Sequence, residues 1–279
     1  MQTLQTIKQT RECIKTWKKQ GNTIGFVPTM GYLHEGHKSL IDRAREENDK
    51  VVVSIFLNPT QFGANEDLST YPVDLEADSR LCEESGVDLI FHPQPIEMYP
   101  KDFCTTVNMT RLTEELCGKS RPVHFGGVCL VVNKLFNIVN ADRAYFGEKD
   151  AQQLAVIKKM VQDLDMDIEV IGCPIIRERD GLAKSSRNVY LNEEERKVAC
   201  ILHETLQMAK EMLKDTKIQD VIKFIEENIS SKPFTRIDYV QIVDSLTMQP
   251  VTEKKQSVLV AIAVFIGTTR LIDNFTLEV

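Results

Sequence analysis

His34 and His37, three residues apart, lie in the run Pro28-Thr29-Met30-Gly31-Tyr32-Leu33-His34-Glu35-Gly36-His37 of this 279-residue chain. The run follows an apolar segment and opens a helical pattern, so both imidazoles fall on one side of a helix start. A helix start offers free N–H groups and the positive end of the dipole, and Gly31 and Gly36 let backbone approach a ligand closely. Two imidazoles there suit a phosphate whose negative charge grows in a transition state. A turn with two surface histidines is the plain alternative. A zinc pair is another, but no third ligand of the right type sits nearby.

Other polar clusters follow apolar runs. Asn58-Pro59-Thr60-Gln61-Phe62 supplies the donors and acceptors of Asn58 and Gln61 for a small polar substrate, with Phe62 as an apolar wall; a strand-ending turn explains it equally well. In Gly147-Glu148-Lys149-Asp150, Lys149 can neutralise phosphate as a mobile cation. Asp150 and Gln153 have capping-box spacing, which accounts for them but not for the lysine. Lys184-Ser185-Ser186-Arg187-Asn188 carries two cations and two hydroxyls that can close over a triphosphate and release pyrophosphate, or else it is a solvated linker. Arg121, His124 and the Gly126-Gly127 pair read as a basic, flexible loop before a helix. No Ser-His-Asp arrangement, no obvious catalytic cysteine and no G-x-x-x-x-G-K-[ST] motif accompanies them.

The elements that must hold these clusters alternate. Strands are expected at Thr23–Pro28, Lys50–Leu57, Val87–Phe91, Arg143–Phe146 and Asp167–Cys173, with helices at His37–Asn48, Leu75–Ser85, Gly127–Val139 and Ala151–Leu164. Single helices between short strands imply right-handed crossovers and a parallel sheet covered on both faces, with ligands beyond the carboxyl ends of the strands. After about Arg177 the pattern changes to two charged helices, Asn192–Lys214 and Ile218–Ile229, and strands at Ile237–Val243, Ser257–Ile266 and Arg270–Asp273. The fold class is therefore α/β: a Rossmann-like parallel sheet with helices on both faces over residues 1–177, plus a smaller C-terminal α+β domain over 178–279 placed as a lid on the active site.

Net charge −7 and pI near 5.4 disfavour non-specific nucleic-acid binding. Seven cysteines without a C-x-x-C pair suggest reduced thiols in the cytoplasm. The apolar run Val258–Ile266 is too short to span a bilayer. The N-terminal segment sets Leu4, Ile7, Ile14 and Trp17 at helical spacing beside Lys8, Arg11, Lys15 and Lys18, a pattern that suits packing on the protein body or a membrane surface.

The clusters occur together and in order, with Ser120-Arg121-Pro122 before His124-Phe125 and a C-terminal Arg270-Leu271-Ile272-Asp273-Asn274. The whole chain thereby resembles the pantothenate synthetase (pantoate–β-alanine ligase) family of the HxGH nucleotidylyltransferase superfamily. The resemblance implies ATP-dependent formation of pantothenate from pantoate and β-alanine through an adenylate, with Mg²⁺, in a homodimer. It assigns ATP to Met30, Gly31, Tyr32, Leu33, His34, Glu35, Gly36 and His37, to Gly147, Glu148, Lys149 and Asp150, to Ile176 against adenine, and to Lys184, Ser185, Ser186 and Arg187. Gln61 and Gln153 would hold pantoate, Gln61 would also reach β-alanine, and Asn58 and Arg121 would support them. His34, His37, Lys149, Ser185 and Arg187 would carry the catalysis. The chain departs from common family residues at Lys184 (often Leu or Met), Val123 (often Gly) and Ala77 (Asp in some relatives), which leaves Asp78 as the tentative metal contact. The nearest rivals are another nucleotidylyltransferase, an aminoacyl-tRNA synthetase fragment and a non-catalytic ATP-binding regulator on the same fold.

Overall fold

Runs too apolar to face water on either side become the central strands of a six-stranded parallel sheet. In the computed structural model, which describes residues 1–64, 66–253 and 257–278, the chain opens with β1 (Gln2–Leu4), α1 (Ile7–Lys19), β2 (Ile24–Thr29) and α2 (Glu35–Glu47). It continues through β3 (Lys50–Ile55), α3 (Leu75–Glu84), β4 (Leu89–Phe91), α4 (Pro95–Met98), α5 (Leu116–Ser120) and α6 (His124–Val139). Next come β5 (Arg143–Gly147), α7 (Ala151–Asp163) and β6 (Glu169–Cys173). Helices α8 (Glu193–Ala199), α9 (Ile201–Asp215) and α10 (Ile218–Ser230) precede β7 (Thr235–Asp244), β8 (Val258–Ile266) and β9 (Thr269–Leu277). The chain divides into two compact units, one of Met1–Met109, Val123–Glu148 and Val156–Pro174, the other of Thr110–Pro122, Lys149–Ala155 and Ile175–Val279.

The first unit holds the parallel sheet in the order β1-β4-β3-β2-β5-β6. Alternate residues of its strands serve opposite faces. Val27, Val51, Val53 and Ile90 pack with Leu40, Ile41 and Ala44 of α2. Phe26, the neighbour of Val27, meets Phe136 of α6 edge-on, with ring centroids 6.4 Å apart. Helix α1 also lies against α6 and buries Thr10 and Ile14, so packing on the body accounts for its apolar face. The end of α2 is pinned by Tyr145, whose hydroxyl donates to Glu47 Oε2 (2.8 Å) and accepts from Asn48 Nδ2 (2.7 Å). From β2 the chain builds outward through β3 and β4, then returns to set β5 on the other side of β2. At that seam the Ile24 N–H donates to Asp142 Oδ2 at 2.7 Å, a bond across 118 residues.

Two features differ from expectation in this unit. Strand β1 pairs with β4 at the sheet edge but is too short and polar to declare itself. Helix α6 starts at His124, three residues before the expected Gly127, so His124 and Gly126 lie inside the helix and not in a flexible loop. Close packing is the reason: a Cβ on Gly127 would come within 2.5 Å of the Gln61 Cα. Val123 sits at φ −89°, which any residue adopts, so no glycine is needed there.

The second unit carries the antiparallel sheet β7-β8-β9. Leu202, Leu206, Ala209 and Leu213 of α9 and Val221, Ile225 and Ile229 of α10 bury one sheet face, which Val260, Ile262 and Val264 provide. The single helix expected over Asn192–Lys214 is two, α8 and α9, joined at Cys200, which keeps near-helical angles (φ −63°, ψ −23°). Residues 110–122 and 149–155 belong to this unit although the sequence reading places them within 1–177. Leu112, Leu116, Ala151 and Ala155 pack with Tyr239, Val243, Leu259 and Ala261, and that apolar cluster is what recruits them.

Gly127→Ala is expected to lower stability by about 1–3 kcal/mol, because the new methyl meets backbone that must move. Gly126→Ala should cost less, since its Cβ meets the Asn108 side-chain oxygen at 3.0 Å. Urea unfolding of both variants checks the order; an equal or reversed cost would refute the packing account.

Candidate active site

The turn after β2 is built on left-handed backbone. Gly31 (φ 92°) and Tyr32 (φ 53°) lie in that region, which favours glycine at the first and strains the second. Asp78 of α3, 2% exposed, holds the turn from beneath: Oδ2 accepts the Tyr32 N–H (2.9 Å) and Oδ1 the Leu33 N–H (2.6 Å). Burial raises the Asp78 carboxyl above its ordinary range against the opposing pull of these two bonds. Both carboxylate oxygens thus bind main chain, which gives Asp78 a use other than the metal contact expected of it. Among the described residues no group of three His, Cys, Asp or Glu side chains has a metal-holding arrangement.

His34 then caps α2. Its Nδ1 accepts the Gly36 N–H (3.1 Å), and His37 Nδ1 accepts the His34 N–H (3.2 Å). The pair forms a capping box made of imidazoles, with ring centroids 4.1 Å apart. An Nδ1 that accepts from backbone carries no proton, so each neutral ring keeps its N–H on Nε2. A helix start is thereby furnished with two further donors.

After β3, Asn58 is fixed by three donations to its Oδ1: from Tyr99 Oη (2.8 Å), Thr60 Oγ1 (3.0 Å) and the Thr60 N–H (3.4 Å). Its Nδ2 must then donate, and does so to Gln61 Oε1 (3.0 Å) and Gly127 O (3.2 Å). Gln61 in turn aims Nε2 at Met30 Sδ (2.9 Å), a weak acceptor. His124 Nδ1 lies 3.0 Å from Gln61 O. Tyr99, whose phenol is pushed up by burial, orients this chain of amides. Sequence reading passed over it; its signal is a tyrosine between the end of a short helix at Met98 and Pro100. At the end of β5, a Cβ added to Gly147 would meet nothing within 4 Å, so the main chain there is open. The first unit therefore brings Met30 to His37, Asn58, Gln61, Gly147 and Glu148 to the carboxyl ends of β2, β3 and β5.

The second unit contains Lys149, Asp150, Gln153, Arg121, Ile176 and Lys184 to Arg187. Lys149 Nζ lies 3.7 Å from Asp150 Oδ1. The segment before Arg121 is tied down by Gln152, whose Nε2 donates to Leu112 O and Glu115 O (both 2.8 Å), and by Gln241, whose Oε1 accepts the Leu116 N–H (3.1 Å). Residues Arg177 to Ala183 form a tight hairpin that delivers Lys184. Lys184 pairs with Glu178 (2.9 Å), and its N–H donates to Ile176 O (2.9 Å). Ser185 caps the following turn by accepting the Arg187 N–H (3.3 Å).

Known proteins are similar to this chain in sequence and in architecture. The family model described as pantoate-beta-alanine ligase matches residues 2–276. Pantothenate synthetase of Enterococcus faecalis is 62% identical over 275 residues, covering 98% of each chain. The crystal structure of pantothenate synthetase from Thermus thermophilus superposes with a TM-score of 0.94 at 45% identity and 99% coverage of both chains. That of the Francisella tularensis pantoate-beta-alanine ligase complexed with beta-gamma ATP and beta-alanine gives 0.81 at 35% identity, covering 99% of this chain and 97% of the other.

Two outcomes are expected. Tyr99→Phe should cost about 0.5–1.5 kcal/mol in denaturant unfolding, the usual net worth of one hydrogen bond; an unchanged midpoint would remove Tyr99 from the amide chain. The Arg196 guanidinium beside Asp180 holds that carboxyl low, at about 2. The pair's stabilisation is complete above the ordinary carboxylate value of about 3.9 and is lost as pH falls towards 2. Because Asp180 is nearly half exposed, the loss should stay under about 1 kcal/mol. Unfolding of wild type and Asp180→Asn at pH 5 and pH 2.5 checks this; identical acid losses in both would contradict it.

Proposed function

This chain belongs to the pantoate–β-alanine ligase family, and we propose that it carries out the family's reaction with the residues described above. The reaction is the ATP-dependent condensation of pantoate with β-alanine to pantothenate through a pantoyl-adenylate, with release of AMP and pyrophosphate. A free carboxylate is a poor acceptor for an amine, because its leaving group would be oxide. Attack of the pantoate carboxylate on the α-phosphorus of ATP expels pyrophosphate and makes a mixed anhydride. The β-alanine amine then attacks the acyl carbon, the C–N bond forms and AMP departs.

The imidazole cap of α2 carries the assignment of roles. His34 and His37, each with its proton on Nε2, donate to phosphate oxygens at the helix start, where charge grows in the transition state. Met30 to His37, with Gly147 and Glu148, hold the nucleotide; support comes from their origin on β2 and β5, neighbours where the strand order reverses. Lys149 neutralises the leaving pyrophosphate, and Lys184 to Arg187 clamp the triphosphate, with Ile176 against adenine. Gln61, with Asn58, Gln153 and Arg121, receives pantoate, and Gln61 also reaches β-alanine. The orientation of the amides supports this, since Gln61 Nε2 is left as a donor towards an anionic substrate. Positioning and electrostatics suffice, with no covalent enzyme intermediate. Mg²⁺ would travel with the triphosphate and screen its charge when bound. A homodimer in the cytoplasm completes the reading, the latter supported by seven free thiols.

Lys149→Ala and His37→Ala should each slow pyrophosphate release by orders of magnitude, as loss of one such donor costs about 2.7–4 kcal/mol. The assay supplies ATP, Mg²⁺ and pantoate, then β-alanine, and follows pyrophosphate and AMP separately. Pyrophosphate should require pantoate, and AMP turnover should require the amine. Near-normal pyrophosphate release in both variants would refute the roles, and AMP retained on the product would refute the ligase chemistry.

A further inference from the structure

The motif Arg270-Leu271-Ile272-Asp273-Asn274 has no part in the chemistry assigned so far, yet its polar side chains run to the segments that carry the second unit's site residues. Asn274, 7% exposed, donates from Nδ2 to the main-chain oxygen of Lys149 at 2.8 Å. Asp273 receives Arg177 in a two-pronged ion pair, Nη1 to Oδ2 at 2.7 Å and Nη2 to Oδ1 at 2.9 Å. Arg177 Nη1 also donates to Gly181 O (3.0 Å), which locks the hairpin that ends at Lys184. Arg270 donates twice to Asp238 Oδ2 (3.0 and 2.7 Å) and sets its guanidinium 3.6 Å from Cys117 Sγ; the Arg121 N–H donates to Cys117 O (2.8 Å). Strand alternation lets one short segment do this, with Arg270 and Asn274 on one face and Asp273 on the other.

We propose that β9 is the positioning strand of the site, in which Asn274 sets Lys149, Asp273 acting through Arg177 sets Lys184 to Arg187, and Arg270 sets the segment of Arg121. The inference rests on the assignment of Lys149 to the phosphates. A lysine ammonium ends a flexible four-carbon stem, so its reach is defined only as well as its main chain is fixed. Displacing a charged group by about 1 Å costs up to about a hundred-fold in rate. Asn274 fixes the main chain of Lys149, from which the ammonium extends to lie 3.7 Å from Asp150 Oδ1.

The test compares Asn274→Ala, Lys149→Ala and the double variant in the full-length protein, by pyrophosphate release with ATP and pantoate and by thermal unfolding. Asn274→Ala should lower kcat about ten- to a hundred-fold while KM for pantoate changes less than about two-fold. The double variant should be no slower than Lys149→Ala, because Asn274 acts only through Lys149. A wild-type kcat in Asn274→Ala overturns the proposal, and so does a double variant that loses the full factor again. If Asn274→Ala is unfolded at the assay temperature, Asn274→Asp, similar in size but without the donor, is judged by the same criteria; unfolding of both would make β9 a folding element only and overturn the proposal. Should Lys149→Ala itself release pyrophosphate at the wild-type rate, the underlying assignment fails, which is separable from a slow Lys149→Ala beside a normal Asn274→Ala.

Discussion

A helix start leaves backbone N–H groups short of acceptors, and proteins usually meet that shortage with serine, threonine or aspartate. Here α2 meets it with the Nδ1 atoms of His34 and His37. A hydroxyl or carboxylate cap would satisfy the backbone as well but present no second nitrogen. Each imidazole accepts from the main chain on one side and is a donor on the other, so the bond that stabilises the helix also settles the tautomer. The turn that delivers these rings depends in turn on Asp78, which takes both the Tyr32 and Leu33 N–H groups and makes a left-handed pair of residues tolerable.

The same economy recurs elsewhere. Tyr99 turns the Asn58 amide, and Asn58 turns that of Gln61. Gln152 and Gln241 hold the segment before Arg121. Each anchor is a polar side chain with its donors and acceptors engaged, and a satisfied buried network rigidifies what it touches. Groups assigned to substrate thus stand on further polar side chains, Tyr99, Gln152 and Gln241, that are themselves fixed.

Much of this was legible from residue order. The all-apolar runs around Val51 to Val53 and Ile24 to Val27 announced buried parallel strands, and the polar clusters after them fell where such sheets bind ligands. What stayed hidden was any feature that depends on a distant partner. Asp78 looked like a spare carboxylate because nothing local reveals two main-chain donors 45 and 46 residues away. The Gly126-Gly127 pair suggested a flexible loop ahead of the helix because the backbone of Gln61, which forbids a side chain at 127, is far off in sequence. Gln153 drew notice for its spacing, whereas its neighbour Gln152 holds Leu112 and Glu115. The transfer of residues 110–122 to the second unit is of the same kind, since it follows from contacts with β7 and β8 that lie beyond any sequence window.

The seam between β2 and β5 has a consequence for how the molecule comes into being. Strands β2, β3 and β4 arise in succession, but the neighbour on the far side of β2 is made more than a hundred residues later, as the Ile24–Asp142 bond measures. Such long-range pairing is slow and leaves a strand edge bare until it completes. During synthesis the nascent chain would expose the apolar flank of β2 until Arg143–Gly147 has emerged. The β2–β5 seam, where the strand order reverses, therefore closes late, and a ligand held at that seam must wait until the edge of β2 has been covered.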